Sequence, residues 1–305
     1  MKYWKTKNII FCMLICLVFG MGCSTEESQN PELVFQYQFD WWDVYDLSGS
    51  YLPNQESFEA LTTAYLQDAG ELLGYSDWWK NINPKAEKII LNLKITPEGG
   101  TMSHASYAQK ALEDEVEMGV TLSGMSLTQF RSDGFLAHEL THVMAGPSFS
   151  ISMEEGICQY VQGNIGKCSH IPGVTAGQLS FEEYFKTSHE YYKQLEAQGA
   201  KGAIPVEDII SSIGKEGRQN PSKNQMIWRL YSEAFCRYLI KEYGVDSTIE
   251  LIAKGENESA YEMIFGKELE ELKEDWLRSV DAMEQKYTWE EIGKMEQEYL
   301  TNLQQ

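Results

Sequence analysis

The sequence predicts an α+β chain in which a small sheet precedes a run of helices. Three observations carry that reading. Between residues 33 and 122 apolar residues alternate in short runs, the period of a strand. After Gly156 they recur at helical spacing in four long stretches. Between the two, Phe135 to Met144 repeats at helical spacing, with Leu136, Leu140, Val143 and Met144 on one stripe. Elements grouped by type in this way specify segregated layers. The expected architecture is a mixed or antiparallel sheet lobe over residues 33–146 and a helical lobe over 147–305, within a single domain.

Each element follows from its own stretch. Residues 1–22 read as a targeting segment: Lys2, Lys5 and Lys7 precede an apolar run from Ile9 to Phe19. That run is shorter than the roughly 20 residues a spanning helix needs. The segment ends Gly20-Met21-Gly22-Cys23-Ser24, which resembles a bacterial lipobox with Cys23 as the lipidated residue. The other reading is an ordinary cleaved signal followed by a free thiol. Residues 23–32 are polar, contain Pro31 and read as a tether. Val34 to Trp41 alternates as a strand, and Asp40-Trp41-Trp42-Asp43 is either core or a sugar-stacking patch. Ser57 to Leu73 has a helical stripe. Lys88 to Ile95, Met102 to Tyr107 and Met118 to Leu122 read as strands, with Gly99-Gly100 turning the chain. Helices are expected at Phe181 to Gln198, Gln225 to Tyr243, Leu269 to Met283 and Trp289 to Leu303.

Charge excludes one class of partner. The whole chain carries −21, and removing a segment with three lysines and no acid leaves −24. A chain this acidic lacks the basic surface that nucleic acid requires. Three cysteines follow Cys23, namely Cys158, Cys168 and Cys236, so at most one intrachain pair can form. Cys158 with Cys168 is the pair nearest in sequence, and buried free thiols are the alternative.

The chemistry concentrates in His138-Glu139-Leu140-Thr141-His142. Two histidines four residues apart lie one above the other on a helix and can reach one tetrahedral zinc ion. Glu139 is rotated away from them. It is suited to take a proton from a metal-bound water rather than to ligate. Ala145-Gly146-Pro147 stops the helix, and Ser152-Met153-Glu154-Glu155-Gly156-Ile157 then offers a carboxylate on a second helix. The same four residues from Ser152 also read as a capping box, in which Glu155 would cap its own helix and Glu154 would be the ligand. His104, His170 and His189 are lone histidines of the kind usually found in loops or on helix surfaces.

The pattern His138-Glu139-Leu140-Thr141-His142-Val143, a short loop, then Glu155-Gly156-Ile157 with Tyr160 resembles the gluzincin metallopeptidases. The resemblance implies one zinc ion held by His138, His142 and Glu155, with Glu139 as general base. It also implies that Glu117 to Leu122 is the antiparallel edge strand along the cleft, so that Gly119, Val120 and Thr121 pair with the substrate backbone. Tyr231, in Tyr231-Ser232-Glu233-Ala234, is similar to the oxyanion-stabilising tyrosine of a late gluzincin helix. The metzincin pattern does not fit, because residue 148 is Ser. The aminopeptidase motif Gly-Ala-Met-Glu-Asn is missing, so no aminopeptidase activity is implied.

The expected function is a zinc-dependent peptidase, monomeric, acting on peptide or protein and anchored by lipid in a bacterial cell envelope. The alternative is an inactive zincin-like lipoprotein that binds peptide or glycan. Retention of Glu139 speaks for hydrolysis, since a binding surface has no use for a general base.

Overall fold

A four-stranded mixed sheet comes first along the chain, and helices make up the rest. The computed structural model describes residues 32–39, 55–96, 104–111, 115–123, 135–165, 176–201, 205–217 and 224–303, with Ile171, Val174 and Ala203. Residues 1–31, which include Cys23, and the tryptophans at 41 and 42 lie outside the described residues. Residues 32–305 form one compact unit. No described helix is long and apolar enough to cross a membrane.

The strands are β1 (Glu32–Phe39), β2 (Lys88–Thr96), β3 (His104–Ala111) and β4 (Glu115–Ser123), in spatial order β1-β2-β4-β3. Helices α1 (Gln55–Leu72) and α2 (Trp79–Ile82) separate β1 from β2. That length of chain permits the crossover a parallel pair requires, and β1 and β2 are parallel. β2 also pairs with β4 in parallel, while β3 runs antiparallel to β4. Ile89 and Leu91 of β2, with Val116, Met118 and Val120 of β4, alternate into the core.

One expectation is corrected here. β4 is an interior strand, not the free edge. Gly119, Val120 and Thr121 pair with Asn92, Leu93 and Lys94 on one side and with Ser106, Ala105 and His104 on the other. Their ladder positions are shared between two neighbours, so they cannot receive a substrate strand. The reason lies in composition: Val116, Met118 and Val120 suit a covered position, whereas His104-Ala105-Ser106-Tyr107-Ala108-Gln109-Lys110 is the more polar strand and stands at the edge.

Helix α3 (Phe135–Ala145) packs against α1, β3, β4 and α4 (Ile151–Asn164). The remaining helices are α5 (Phe181–Ala197), α6 (Val206–Ser212), α7 (Gln225–Tyr243), α8 (Val245–Lys254), α9 (Ser259–Phe265), α10 (Leu269–Asp281) and α11 (Trp289–Leu303). α7 is the axis of this lobe. It lies along α4 and touches α5, α6, α8 and α10. Its fully buried Trp228, Tyr231 and Phe235 join Trp276 of α10 in the largest side chains of the core.

Candidate metal centre

Six of the eleven residues of helix α3 are Leu, Ala, Glu or Met, which lose little on entering a helix. Thr141 Oγ1 donates back to the Ala137 carbonyl at 2.7 Å and so hides its hydroxyl. The helix ends where Gly146 takes φ 70°, its N–H donating to the His142 carbonyl, and Pro147 prevents continuation. Residues 136–145 are all buried. The face that carries the histidines is therefore covered as completely as the apolar stripe.

What covers it is α4, and the close approach depends on Gly156. A Cβ there would stand 2.5 Å from the Ser232 carbonyl oxygen and 2.6 Å from Cys236 Sγ, both on α7. The glycine after Glu155 thus has a mechanical reason: it lets α7 cross α4 directly behind the carboxylate. Gly156→Ala is expected to cost about 1–3 kcal/mol of stability, measured by urea unfolding, because backbone on one side and a short thiol on the other leave no room to yield. Unchanged stability would show that the two helices separate freely.

The two imidazoles converge. His138 Nε2 and His142 Nε2 are 3.3 Å apart. Glu155 sends Oε2 to 3.5 Å from His138 Nε2 and Oε1 to 3.9 Å from His142 Nε2. Metal–nitrogen bonds of roughly 2.0–2.1 Å put tetrahedral donors about 3.3 Å apart, so the separation of the two Nε2 atoms fits a single ion, with the Glu155 oxygens standing 3.5 and 3.9 Å from them. The opposite ring nitrogens have partners of their own. His142 Nδ1 is 3.0 Å from Glu154 Oε1, and Glu154 Oε2 accepts from the Ser148 N–H at 3.0 Å. His138 Nδ1 is 3.4 Å from the Gln159 amide, whose Oε1 is buried without a hydrogen bond. Turning that amide over lets the carbonyl accept from Nδ1–H and satisfies both groups. With both Nδ1 protons so placed, two Nε2 atoms face each other at 3.3 Å, an arrangement satisfied either by a proton on His142 Nε2 or by a metal ion between them.

Glu155 is held from behind. Arg229 of α7 approaches it with Nε at 3.2 Å from Oε2 and a terminal nitrogen at 3.3 Å from Oε1. Its Oε2 is nonetheless buried without a well-formed hydrogen bond, which keeps a lone pair directed to the imidazoles. Burial alone would raise the Glu155 pKa. His138, Arg229 and His142 more than offset that and hold it at about 2. Burial alone would lower the His142 pKa, but the hydrogen bond to Glu154 and the fields of Glu155 and Glu139 leave it raised. Glu139 is 5% exposed beside the pair.

The capping-box alternative does not describe α4. The helix starts at Ile151, and Ser152 Oγ accepts from the Gly214 N–H at 2.7 Å and contacts Ser150 Oγ at 3.0 Å, leaving Glu155 free of any capping duty. Cys158 is a buried free thiol, so no disulfide joins it to Cys168, which lies outside the described residues. Its Sγ is within 4.8 Å of a ring nitrogen of each histidine, and His138, His142 and Cys158 form a buried group able to hold a metal ion. Burial pushes the Cys158 thiol up, and the nearby Glu155, Glu154 and Glu139 add to the effect.

Tyr231 does not stand with this group. Its side chain is fully buried, with the hydroxyl 3.0 Å from His189 Nδ1 and the ring packed edge-on against Phe185 and Trp276. The reason is helical register. Arg229, Ser232 and Cys236 share the face of α7 that meets α4, and Tyr231, two residues from Arg229, is rotated about 200° away. His189 is thereby accounted for as a core histidine. Burial, with Lys193 nearby, lowers its pKa to about 4. The unfolded chain then binds one more proton than the folded chain between about pH 6.5 and 4, so stability falls on acidification through that window, by about 3 kcal/mol in all. His189→Gln should flatten this part of the pH dependence of urea midpoints; an unchanged profile would mean that other groups carry it.

Arg229, Glu154 and Gln159 in these roles went unread in the sequence. Glu154 and Gln159 were accessible in principle, since they lie one position before and four after Glu155 on one helix. Arg229 is 74 residues from Glu155 and has no local signal. Comparisons with protein families, curated proteins and solved structures returned no match for this chain.

Proposed function

We propose that the chain is a zinc-dependent peptidase of zincin-like, gluzincin type, tethered by lipid at Cys23 in a bacterial envelope. The observation that carries this reading is the convergence of His138 Nε2, His142 Nε2 and the Glu155 carboxylate beside Glu139, all inside a buried helix pair. Zinc in such a site supplies a Lewis acid for the substrate carbonyl and lowers the pKa of water. Each side chain then has a defined task. Glu139 accepts the proton of the attacking water and returns it to the leaving amine. Glu154 fixes the tautomer and orientation of His142, and Gln159 does the same for His138. Arg229 orients Glu155 and balances its charge. Backbone pairing with an extended substrate falls to β3, the strand at the sheet edge nearer α3.

The test is a cleavage profile. Purified residues 24–305 are incubated with a peptide library derived from a proteome, with and without chelator, and then with zinc restored. Cleavage that disappears with chelator and returns with zinc is expected. Metal-independent cleavage, or none in any condition, would overturn the reading.

A further inference from the structure

The thiol of Cys158 is placed with the metal donors, and the reading above gives it no task. On α4, Cys158 follows Glu155 by three residues, so both lie on the helix face turned to α3. Its Sγ is within 4.8 Å of a ring nitrogen of both His138 and His142, and the side chain has no exposure to solvent. Among the described residues it forms no disulfide and no hydrogen bond. Cys236 differs on the last point: its Sγ donates to the Met153 carbonyl at 3.5 Å. Glu155 Oε2, buried without a well-formed hydrogen bond, stands 3.5 Å from His138 Nε2 and 3.2 Å from Arg229 Nε.

We propose that Cys158 is a fourth protein ligand of the metal ion, which closes the resting centre as a His138, His142, Glu155 and Cys158 set. The proposal rests on the zinc reading of these residues and adds a regulatory property to it. Sites with four protein donors are closed, whereas hydrolytic sites hold three and keep the fourth position open. Held by the metal, Cys158 would be a thiolate, its proton lost to bulk water as the ion loads, and it would stand where an attacking water is needed. Hydrolysis then requires the Cys158 side chain to swing away by rotation about its Cα–Cβ bond, with water taking its place. The peptidase would be latent at rest, and removal of the sulfur would relieve that latency.

X-ray absorption at the zinc edge of the zinc-loaded full-length protein tests this without any substitution. One sulfur neighbour at about 2.3 Å is expected, alongside nitrogen and oxygen neighbours at about 2.0–2.2 Å. A shell of nitrogen and oxygen alone would overturn the proposal. Cobalt substitution then identifies the sulfur. The wild type should show thiolate-to-cobalt charge-transfer absorption in the near ultraviolet, and Cys158→Ser and Cys158→Ala should lose it while still binding cobalt. Persistence of the band in both variants would assign it to another cysteine and defeat the proposal, as would failure of the wild type to bind cobalt or zinc. Cleavage is followed in parallel, with a rise in kcat expected in the variants. A sulfur ligand proven by both spectra, with no cleavage by any form, would leave Cys158 in place and remove the peptidase reading instead.

Discussion

Glu139→Gln is expected to keep one metal ion per chain and to abolish peptide cleavage. The amide matches the carboxylate in size, so the packing of α3 against α4 is retained. Its side chain cannot accept a proton, and the attacking water loses its base. The fall in kcat should exceed the ~10²–10⁴ that general acid–base assistance alone provides, because generation of the nucleophile fails together with protonation of the leaving amine. Single-turnover kinetics at saturating substrate, with metal content measured on the same sample, separate this from loss of the ion. Cleavage near the wild-type rate would refute the role of Glu139. Loss of cleavage together with loss of metal would show that the variant disturbs the helix pair rather than the proton transfer.

The second large effect is expected at the donors themselves. His142→Ala should lose stoichiometric zinc, since one of the two Nε2 atoms 3.3 Å apart is deleted. The two adjacent glutamates on α4 should then separate by role. Glu155 faces both Nε2 atoms, so Glu155→Ala should behave like His142→Ala. Glu154 touches Nδ1 of His142, so Glu154→Gln should weaken zinc binding by only about 10–100-fold. Competition titration against a chelating dye reads all three. Full zinc affinity in Glu155→Ala with loss in a Glu154 variant would exchange their roles.

How far the sequence exposed this site depends on the range of each interaction. The pair His138 and His142 was legible because both donors sit on one helical turn and their spacing alone sets their geometry. Glu155 was legible only through its resemblance to a known pattern, since local rules allowed it a capping role as well. The glycine after it acquires its meaning from α7, which arrives 76 residues later with Ser232. Cys158 was visible as a residue but not as a donor, because cysteine arithmetic considers pairs of thiols and not a neighbouring pair of imidazoles.

The fold shows the same division. Alternation located the β2 and β4 strands, and helical periodicity matched Gln225–Tyr243 and Trp289–Leu303 at both ends. Alternation reports which face of a strand is buried but not which strands lie beside it. Alternation therefore leaves open the interior place of β4 between β2 and β3. Tyr231 shows a related limit: its motif locates it on α7, and helical register turns it to His189 and away from α4. The short helices α6, α8 and α9 went unread because seven to ten residues hold too few turns for a period to stand out.

On the proposed reading, one zinc ion is held between α3 and α4. Anomalous diffraction at the zinc edge, on crystals of the protein purified without added metal, tests it most directly. A single strong peak is expected about 2.0–2.2 Å from His138 Nε2, His142 Nε2 and a Glu155 oxygen. No peak at that position, or a zinc peak elsewhere with His138 and His142 hydrogen-bonded to each other, would contradict it.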